Sequence, residues 1–386
     1  MSGRVSALFI LIVVGLQCAA AGCRFSEDRE PAASRLEVGR TLGAEEDTGY
    51  ARALEPREFE FPRDHGPHPD FKTEWWYYTG NLEDEEGRRF GYQLTFFRVA
   101  LAPQSTHRPS SWGTRQAYMA HFALTDVGGG RFFHNERFAR GAMGLAGAAS
   151  APFHVWLEDW QARGPEETFP MELSARTQTT DLKLLLQQGK PVVLQGDKGL
   201  SPKSAEAGNA SYYYSLTRMP TQGRIRIGDK RFEVHGSSWL DREWSTSALA
   251  ADQQGWDWFA LQSEDNHDLE LMYYQLRRQD GSADPASRGV LVFPDGSTVP
   301  LRGEQLQLEA TSHWQSPRGG SYPSAWRMEV PDQELELQIT PLLADQELDG
   351  TIRYWEGAVR FSGHYGTRPI TGYGYVELTG YAVENR

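Results

Sequence analysis

From Phe59 onward, apolar and aromatic positions alternate with polar ones at period two, in short runs cut by Gly, Pro, Asn and Asp. The pattern predicts a strand over 74–82, a turn at 84–87 and a returning strand over 90–100. Further strands are expected at 118–125, 153–160, 171–177, 183–186, 212–217 and 231–235. A second series follows at 256–262, 269–277, 289–293, 305–310, 326–330, 334–339, 354–362 and 372–378. Only 245–254 reads as a helix, a short one: it is Ala-rich, opens on Ser and Thr, and stops at Gly255. The small-residue run 145–151 reads as a loop or a loose edge. Many short strands without a long helix predict an all-β chain built of barrels or sandwiches.

Two aromatic hairpins in this pattern repeat each other. Trp75-Trp76-Tyr77-Tyr78 aligns with Trp256-Asp257-Trp258-Phe259, Glu83-Asp84 with Glu264-Asp265, and Arg98 with Arg277. A spacing of about 180 residues fits a duplicated domain, because solenoid repeats are far shorter. The expected domains are therefore 57–245 and 246–386.

The stretch 235–259 sits where the second copy begins. It holds four of the chain's twelve tryptophans and sets Asp241, Glu243 and Asp257 among them. Indoles and carboxylates are costly to bury without partners, so such a run either lines something or joins two bodies. If it is extended, Trp239, Asp241 and Glu243 share one face, and Leu240, Arg242 and Trp244 the other. One reading pairs the acids with Arg242, Arg218 or Lys230 as pins of the domain junction. The other places an indole-flanked carboxyl in a sheltered cavity, where its raised pKa makes it a general acid.

Asp241 and Glu243 are accordingly the candidate catalytic residues. Candidate ligand-binding residues are Glu74, Trp76, His121, Tyr213, Trp239, Trp256, Asp257 and Trp258. Glu74 stands beside two indoles, His121 alternates with Met119 and Ala123, and the run Tyr212-Tyr213-Tyr214 must split between two faces. His65, His68 and Asp70 are spaced as metal ligands are, yet Pro67 and Pro69 stiffen the segment and further ligands are missing. No metal and no cofactor is expected.

The N-terminus and the charge bear on where the chain works. Arg4, the apolar run 7–16 and Ala20-Ala21-Gly22-Cys23 read as a signal peptide over 1–22. Small residues before Cys23 point to lipidation of that cysteine, with ordinary secretory cleavage as the alternative. Arg24, rather than Asp, favours the outer membrane in an enterobacterial-type sorting system. An exported lipoprotein facing the periplasm or cell surface is the expectation. The polar stretch 23–56 reads as a flexible tether. With Cys18 and Cys23 its only cysteines, the mature chain is expected to hold no disulfide and no thiol nucleophile. A net charge of −13 argues against nucleic acid as a partner.

Several long motifs resemble the AttH/CrtC-like family, which includes secreted lipocalin-like proteins and the carotenoid 1,2-hydratases. They are FPRDHGPHPDFKTEWWYYTGNL (61–82), SYYYSLTRMPTQGRIRIG (211–228), GSSWLDREWS (236–245), GWDWF (255–259) and GYVELTGY (374–381). The resemblance covers nearly everything from Phe59 onward. It implies two tandem lipocalin-like β-barrels, in agreement with the strand count and the repeat. It further implies association with an ABC-transporter permease in lipid or lipoprotein transport. In the hydratase branch water is added to an isolated double bond without a cofactor, and a histidine precedes the aspartate that matches Asp241; here Leu240 stands in its place. Hydrolase motifs are missing: there is no G-x-S-x-G and no H-E-x-x-H.

The expected function is binding of a hydrophobic or amphipathic small molecule or lipid, by a protein held at the membrane through Cys23. The alternative is a carotenoid 1,2-hydratase-like enzyme acting on an isoprenoid or fatty-chain double bond.

Overall fold

The computed structural model describes residues 48–103, 110–247, 249–264 and 269–382, all within one compact unit spanning 36–386. The expected signal peptide, Cys23 and the tether up to residue 47 lie outside the described residues. Residues after 50 run along the first sheet: the Ala51 N–H donates to the Asp70 carbonyl at 2.9 Å, and Ala53 is buried in the first core.

Thirteen strands form the first sheet. Its leading strands are β1 (Thr73–Glu83), β2 (Arg89–Ala100), β3 (Gln116–Asp126) and β4 (Arg131–Arg140). Short ones follow: β5 (Ala146–Ala149), β6 (His154–Leu157), β7 (Trp160–Arg163), β8 (Met171–Arg176), β9 (Thr180–Leu186), β10 (Val193–Leu194) and β11 (Leu200–Pro202). Two long strands, β12 (Ala210–Ile227) and β13 (Lys230–Ser245), finish the set. The order is β4-β3-β2-β1-β13-β12-β9-β8-β7-β6-β5, with β10 and β11 on β12. Strands β3 and β4 come round against β5 and β6, so the sheet curls into a nearly closed barrel.

The second sheet has ten strands. They are β14 (Gln253–Ser263), β15 (Glu270–Arg278), β16 (Arg288–Val292), β17 (Thr298–Arg302), β18 (Gln307–Gln315), β19 (Ser321–Val330), β20 (Leu335–Pro341), β21 (Glu347–Asp349), β22 (Arg353–Tyr365) and β23 (Arg368–Leu378). Their order is β17-β16-β15-β14-β23-β22-β20-β19-β18, with β21 on β22, a half-barrel. The duplication is visible in the topology. In each sheet the first strand lies between the second and the last: β1 between β2 and β13, β14 between β15 and β23.

The repeated aromatic strands are buried on both faces. In β1, Trp76, Tyr78 and Leu82 enter the first core, while Trp75 and Tyr77 face the second sheet. In β14, Phe259 and Leu261 enter the second core, while Trp258 and Ala260 face the first sheet. A strand covered on both sides needs no polar face, which is why the sequence there runs WWYY and WDWF. Tyr77, Tyr213, Trp239, Trp258, Met272 and Tyr274 belong to the cluster between the sheets. Each large side chain so buried contributes roughly 1.5–3 kcal/mol, so the two sheets are held as one body. Gly91 makes the approach possible: a Cβ there would lie 2.4 Å from the Cβ of Ala358 on β22.

The expected helix at 245–254 does not form among the described residues. Ser245 ends β13, Gln253 opens β14, and the link between them is bends and a turn. Seven linking residues cannot repay helix nucleation, and outside partners hold the link: the Ser247 hydroxyl donates to the Gly208 carbonyl at 3.1 Å.

Candidate active site between the two sheets

The alternation of β13 is the one expected from the sequence, and it builds one wall of a cavity. Leu240 and Trp244 enter the first core. Asp241, Glu243 and Ser245 line the cavity, and Trp239 packs between the sheets beside it. From the second sheet come Trp256 and Trp258 of β14, Tyr274 and Leu276 of β15, Tyr354 of β22 and Glu377 of β23. The cavity measures about 110 Å³ and its lining is mainly apolar and rich in aromatic rings.

Asp241 is buried, and among the described residues no cation is hydrogen-bonded to it; the Lys203 ammonium acts on it only through space. Its carboxylate accepts from the Tyr213 hydroxyl, from the Ser215 hydroxyl at 2.5 Å and from the Trp239 indole N–H at 2.7 Å. Burial pushes its pKa up to about 7, although the three donors oppose the rise. Near neutral pH this carboxyl therefore carries a transferable proton, in an aromatic cavity. Glu243, two positions along, lies 2.7 Å from the Lys203 ammonium. Lys203 also stands over the rings of Tyr274 and Tyr213, at 4.4 and 5.3 Å. Burial acts to lower the Lys203 pKa, but Glu243, Tyr274 and Asp241 together outweigh it and the net shift is upward. The expected pairing with Arg242, Arg218 or Lys230 is not what forms: Arg242 binds Glu74, and Arg218 binds Glu270.

A second acid group stands on the other wall. Glu377 faces Glu356 across the β22–β23 ladder, and the two carboxyls are hydrogen-bonded to each other. The Trp256 indole N–H donates to Glu377 at 2.7 Å, and the Tyr77 hydroxyl donates to Glu356. Burial raises both, Glu377 to about 7 and Glu356 well above its ordinary value.

The other residues singled out in the sequence lie elsewhere. Glu74 is buried between Arg98 and Arg242, with Arg242 at 2.7 Å. Burial alone would raise its carboxyl, but the two guanidiniums hold it well below the usual range. Trp76 packs in the first core under the Arg242 guanidinium, 3.8 Å away, with its N–H on the His65 carbonyl. Asp257 points away from the cavity to Arg277 and the Tyr381 hydroxyl, each at 2.9 Å. His121 sits behind the cavity wall, its Nδ1 2.7 Å from the Tyr354 hydroxyl; burial lowers its pKa to about 3, leaving the ring neutral. Of the candidates, the cavity gathers Asp241, Glu243, Tyr213, Trp256 and Trp258, with Trp239 bonded to Asp241. His65 and His68 have separate partners: His65 bonds the Tyr214 hydroxyl at 2.6 Å, and His68 stacks on Trp244 at 3.7 Å. Among the described residues no group of three His, Cys, Asp or Glu is arranged to hold a metal.

Lys203, Glu356, Glu377 and Tyr354 were not anticipated from the sequence. Glu377 lies inside the GYVELTGY motif, which was the available signal. The departure at Leu240 costs the cavity nothing, since position 240 faces the first core.

Comparison with known proteins agrees with this architecture. A family model described as AttH-like matches residues 52–381. The crystal structure of an AttH from Nitrosomonas europaea is 36% identical and superposes with a TM-score of 0.76, over 86% of this chain and all of that one. The crystal structure of kievitone hydratase from Nectria haematococca shares the fold at 13% identity and a TM-score of 0.66, over 86% of this chain and 96% of that one. In sequence, kievitone hydratase from Fusarium solani subsp. phaseoli is 25% identical over 44% of this chain and 49% of its own length. Dehydratase asqC from Emericella nidulans is 23% identical over 56% of this chain and 60% of its own. The match thus spans about half to three-fifths of the curated relatives' length.

Proposed function

The chain belongs to the AttH-like family, and from that premise we propose that it is a cofactor-independent hydratase or dehydratase acting on an apolar alkene or the matching alcohol. Asp241 is the general acid. The observation that carries this reading is a buried carboxyl with no ion-pair partner among the described residues, held near a pKa of 7 by its surroundings, on the wall of an apolar, aromatic-rich cavity.

The chemistry follows from the residues. The Asp241 O–H transfers its proton to one alkene carbon, and the π electrons form the new C–H bond. The indole and phenol faces of Trp256, Trp258 and Tyr274 stabilise the positive charge left on the other carbon. Water attacks that carbon and loses a proton. Water and a proton are the only reagents, so the reaction is redox-neutral and reversible. Hydration and dehydration are its two directions, the two activities for which the relatives are named.

Acid strength and cavity size restrict the substrate. A carboxylic acid with a pKa near 7 is a weak proton donor, so only an alkene giving a tertiary or similarly stabilised cation is suited to it. A dry cavity of ~150 Å³ is known to hold a benzene ring. One of about 110 Å³ fits the branched reacting end of a substrate, such as a dimethylallyl group, with the remainder extending to the opening.

The test uses purified protein and prenylbenzene as probe, with product identified by mass spectrometry. Wild type is expected to give the tertiary alcohol. Asp241→Asn is expected to lose ~10²–10⁴-fold in kcat, the range typical of general acids, while still binding the probe. The apolar lining equally favours a carrier without turnover; binding by both proteins with no product from either would select that reading.

A further inference from the structure

We propose that Glu377, held by Glu356, is the general base of the same reaction, so that the acid comes from the first sheet and the base from the second. This rests on the hydration reading above. Glu377 keeps part of its surface open and lines the cavity, whereas Glu356 is wholly buried behind it.

The geometry of the pair requires a shared proton. Glu356 and Glu377 occupy directly opposed positions on neighbouring strands. The Glu356 Oε1 accepts from the Tyr77 hydroxyl. Its Oε2 is buried and receives no hydrogen bond from any donor among the described residues. An ionised carboxylate is an acceptor only, so such an oxygen would be left as uncompensated buried charge. Protonated, it donates to Glu377 instead, and two touching carboxyls cannot both ionise. Tyr77 (β1), Asp241 and Glu243 (β13), Tyr354 (β22) and Tyr375 (β23) face the pair, and none of them is a cation. Lys203, the nearby ammonium, is engaged by Glu243. Glu377 is thus a carboxylate oriented by two donors, the Trp256 indole and the Glu356 acid, with its remaining capacity turned to the cavity.

The proton balance closes with this base. Asp241 loses its proton to carbon, water forms the C–O bond to the cation, and the proton that water sheds goes to a Glu377 oxygen. Exchange through water then carries that proton from Glu377 to Asp241 and restores both groups. In the dehydration direction Glu377 protonates the departing hydroxyl and the Asp241 carboxylate takes the proton from carbon. Glu356 is a positioning residue: it acts through Glu377 and does so protonated.

The experiment measures kcat, KM and pH profiles on prenylbenzene, with circular dichroism to confirm folding. Glu377→Gln is expected to lower kcat by ~10²-fold or more with KM nearly constant, while Glu377→Asp, which keeps a carboxyl, retains more. Glu356→Leu removes a donor from the Glu377 carboxylate and is expected to move the acid limb of the kcat/KM profile to higher pH. Glu356→Gln, whose amide donates as the acid does, is expected to bring that limb back. Wild-type kcat in Glu377→Gln, with Asp241→Asn inactive, would overturn the base and leave the hydration reading standing. Glu356→Gln as damaging as Glu356→Leu would overturn the shared proton. A wild type that hydrates nothing removes the base together with the reaction.

Discussion

Glu74 and Asp241 are both buried carboxyls beside indoles, and their partners give them opposite characters. Two guanidiniums fix Glu74 as a permanent anion, while Asp241 has only neutral donors and keeps its proton near neutrality. Removing the Glu74 charge strands Arg98 and Arg242 in the interior. Glu74→Gln is therefore expected to cost about 3–5 kcal/mol of unfolding free energy by urea titration; a loss under about 1 kcal/mol would contradict the buried network. The sequence could not separate these two acids, because their partners come from elsewhere in the fold. Arg242 reaches Glu74 across the β1–β13 ladder, and Lys203 reaches Glu243 from the loop after β11. The facing of Trp239, Asp241 and Glu243, by contrast, was legible, because it depends only on the two-residue period of a strand.

At the scale of the element, β1 and β14 decide the architecture. Both are buried on two faces, one in their own core and one between the sheets. Their aromatic runs announced the repeat, and the pairing of the first strand with the last makes the two copies equivalent. The copies are not identical in their ion pairs. Arg98 lies opposite Glu74, but Arg277 lies opposite Gly255 and takes Asp257 instead. The close approach of β2 to β22 was hidden from the sequence, since contact between sheets leaves no periodic trace. Gly91→Ala puts a methyl group into the contact with Ala358. A loss of about 1–3 kcal/mol is expected, as for other overpacked sites, read as a lowered thermal midpoint together with a change in tryptophan emission. An unchanged midpoint would mean that the sheets are less tightly apposed than described.

For the molecule as a whole, the site's acidity is linked to stability. Asp241 rises from 3.8 to about 7 and Glu377 from 4.5 to about 7 on folding. A group whose pKa is raised in the folded state contributes stability that is full below its unfolded pKa and is lost as pH rises through the folded one. For Asp241 the loss is on the order of 4 kcal/mol. Asp64 and Glu74 are lowered and act in the opposite sense, losing their contribution only at more acid pH. Between about pH 5 and pH 8 the wild-type urea midpoint is therefore expected to fall. In Asp241→Asn, which cannot ionise, the fall should be smaller; an equal fall in both proteins would contradict the raised carboxyl. The same buried proton whose loss destabilises the fold as pH rises is the one the reaction uses.

Turnover in heavy water tests that use most directly. Prenylbenzene is incubated in D₂O with wild type and with Asp241→Asn, and the product is analysed for carbon-bound deuterium. A tertiary alcohol carrying one deuterium on the adjacent carbon, formed by wild type and lost in Asp241→Asn, is the predicted result. Labelled alcohol formed equally by both proteins would contradict Asp241 as the acid, and no alcohol from wild type would contradict hydration itself.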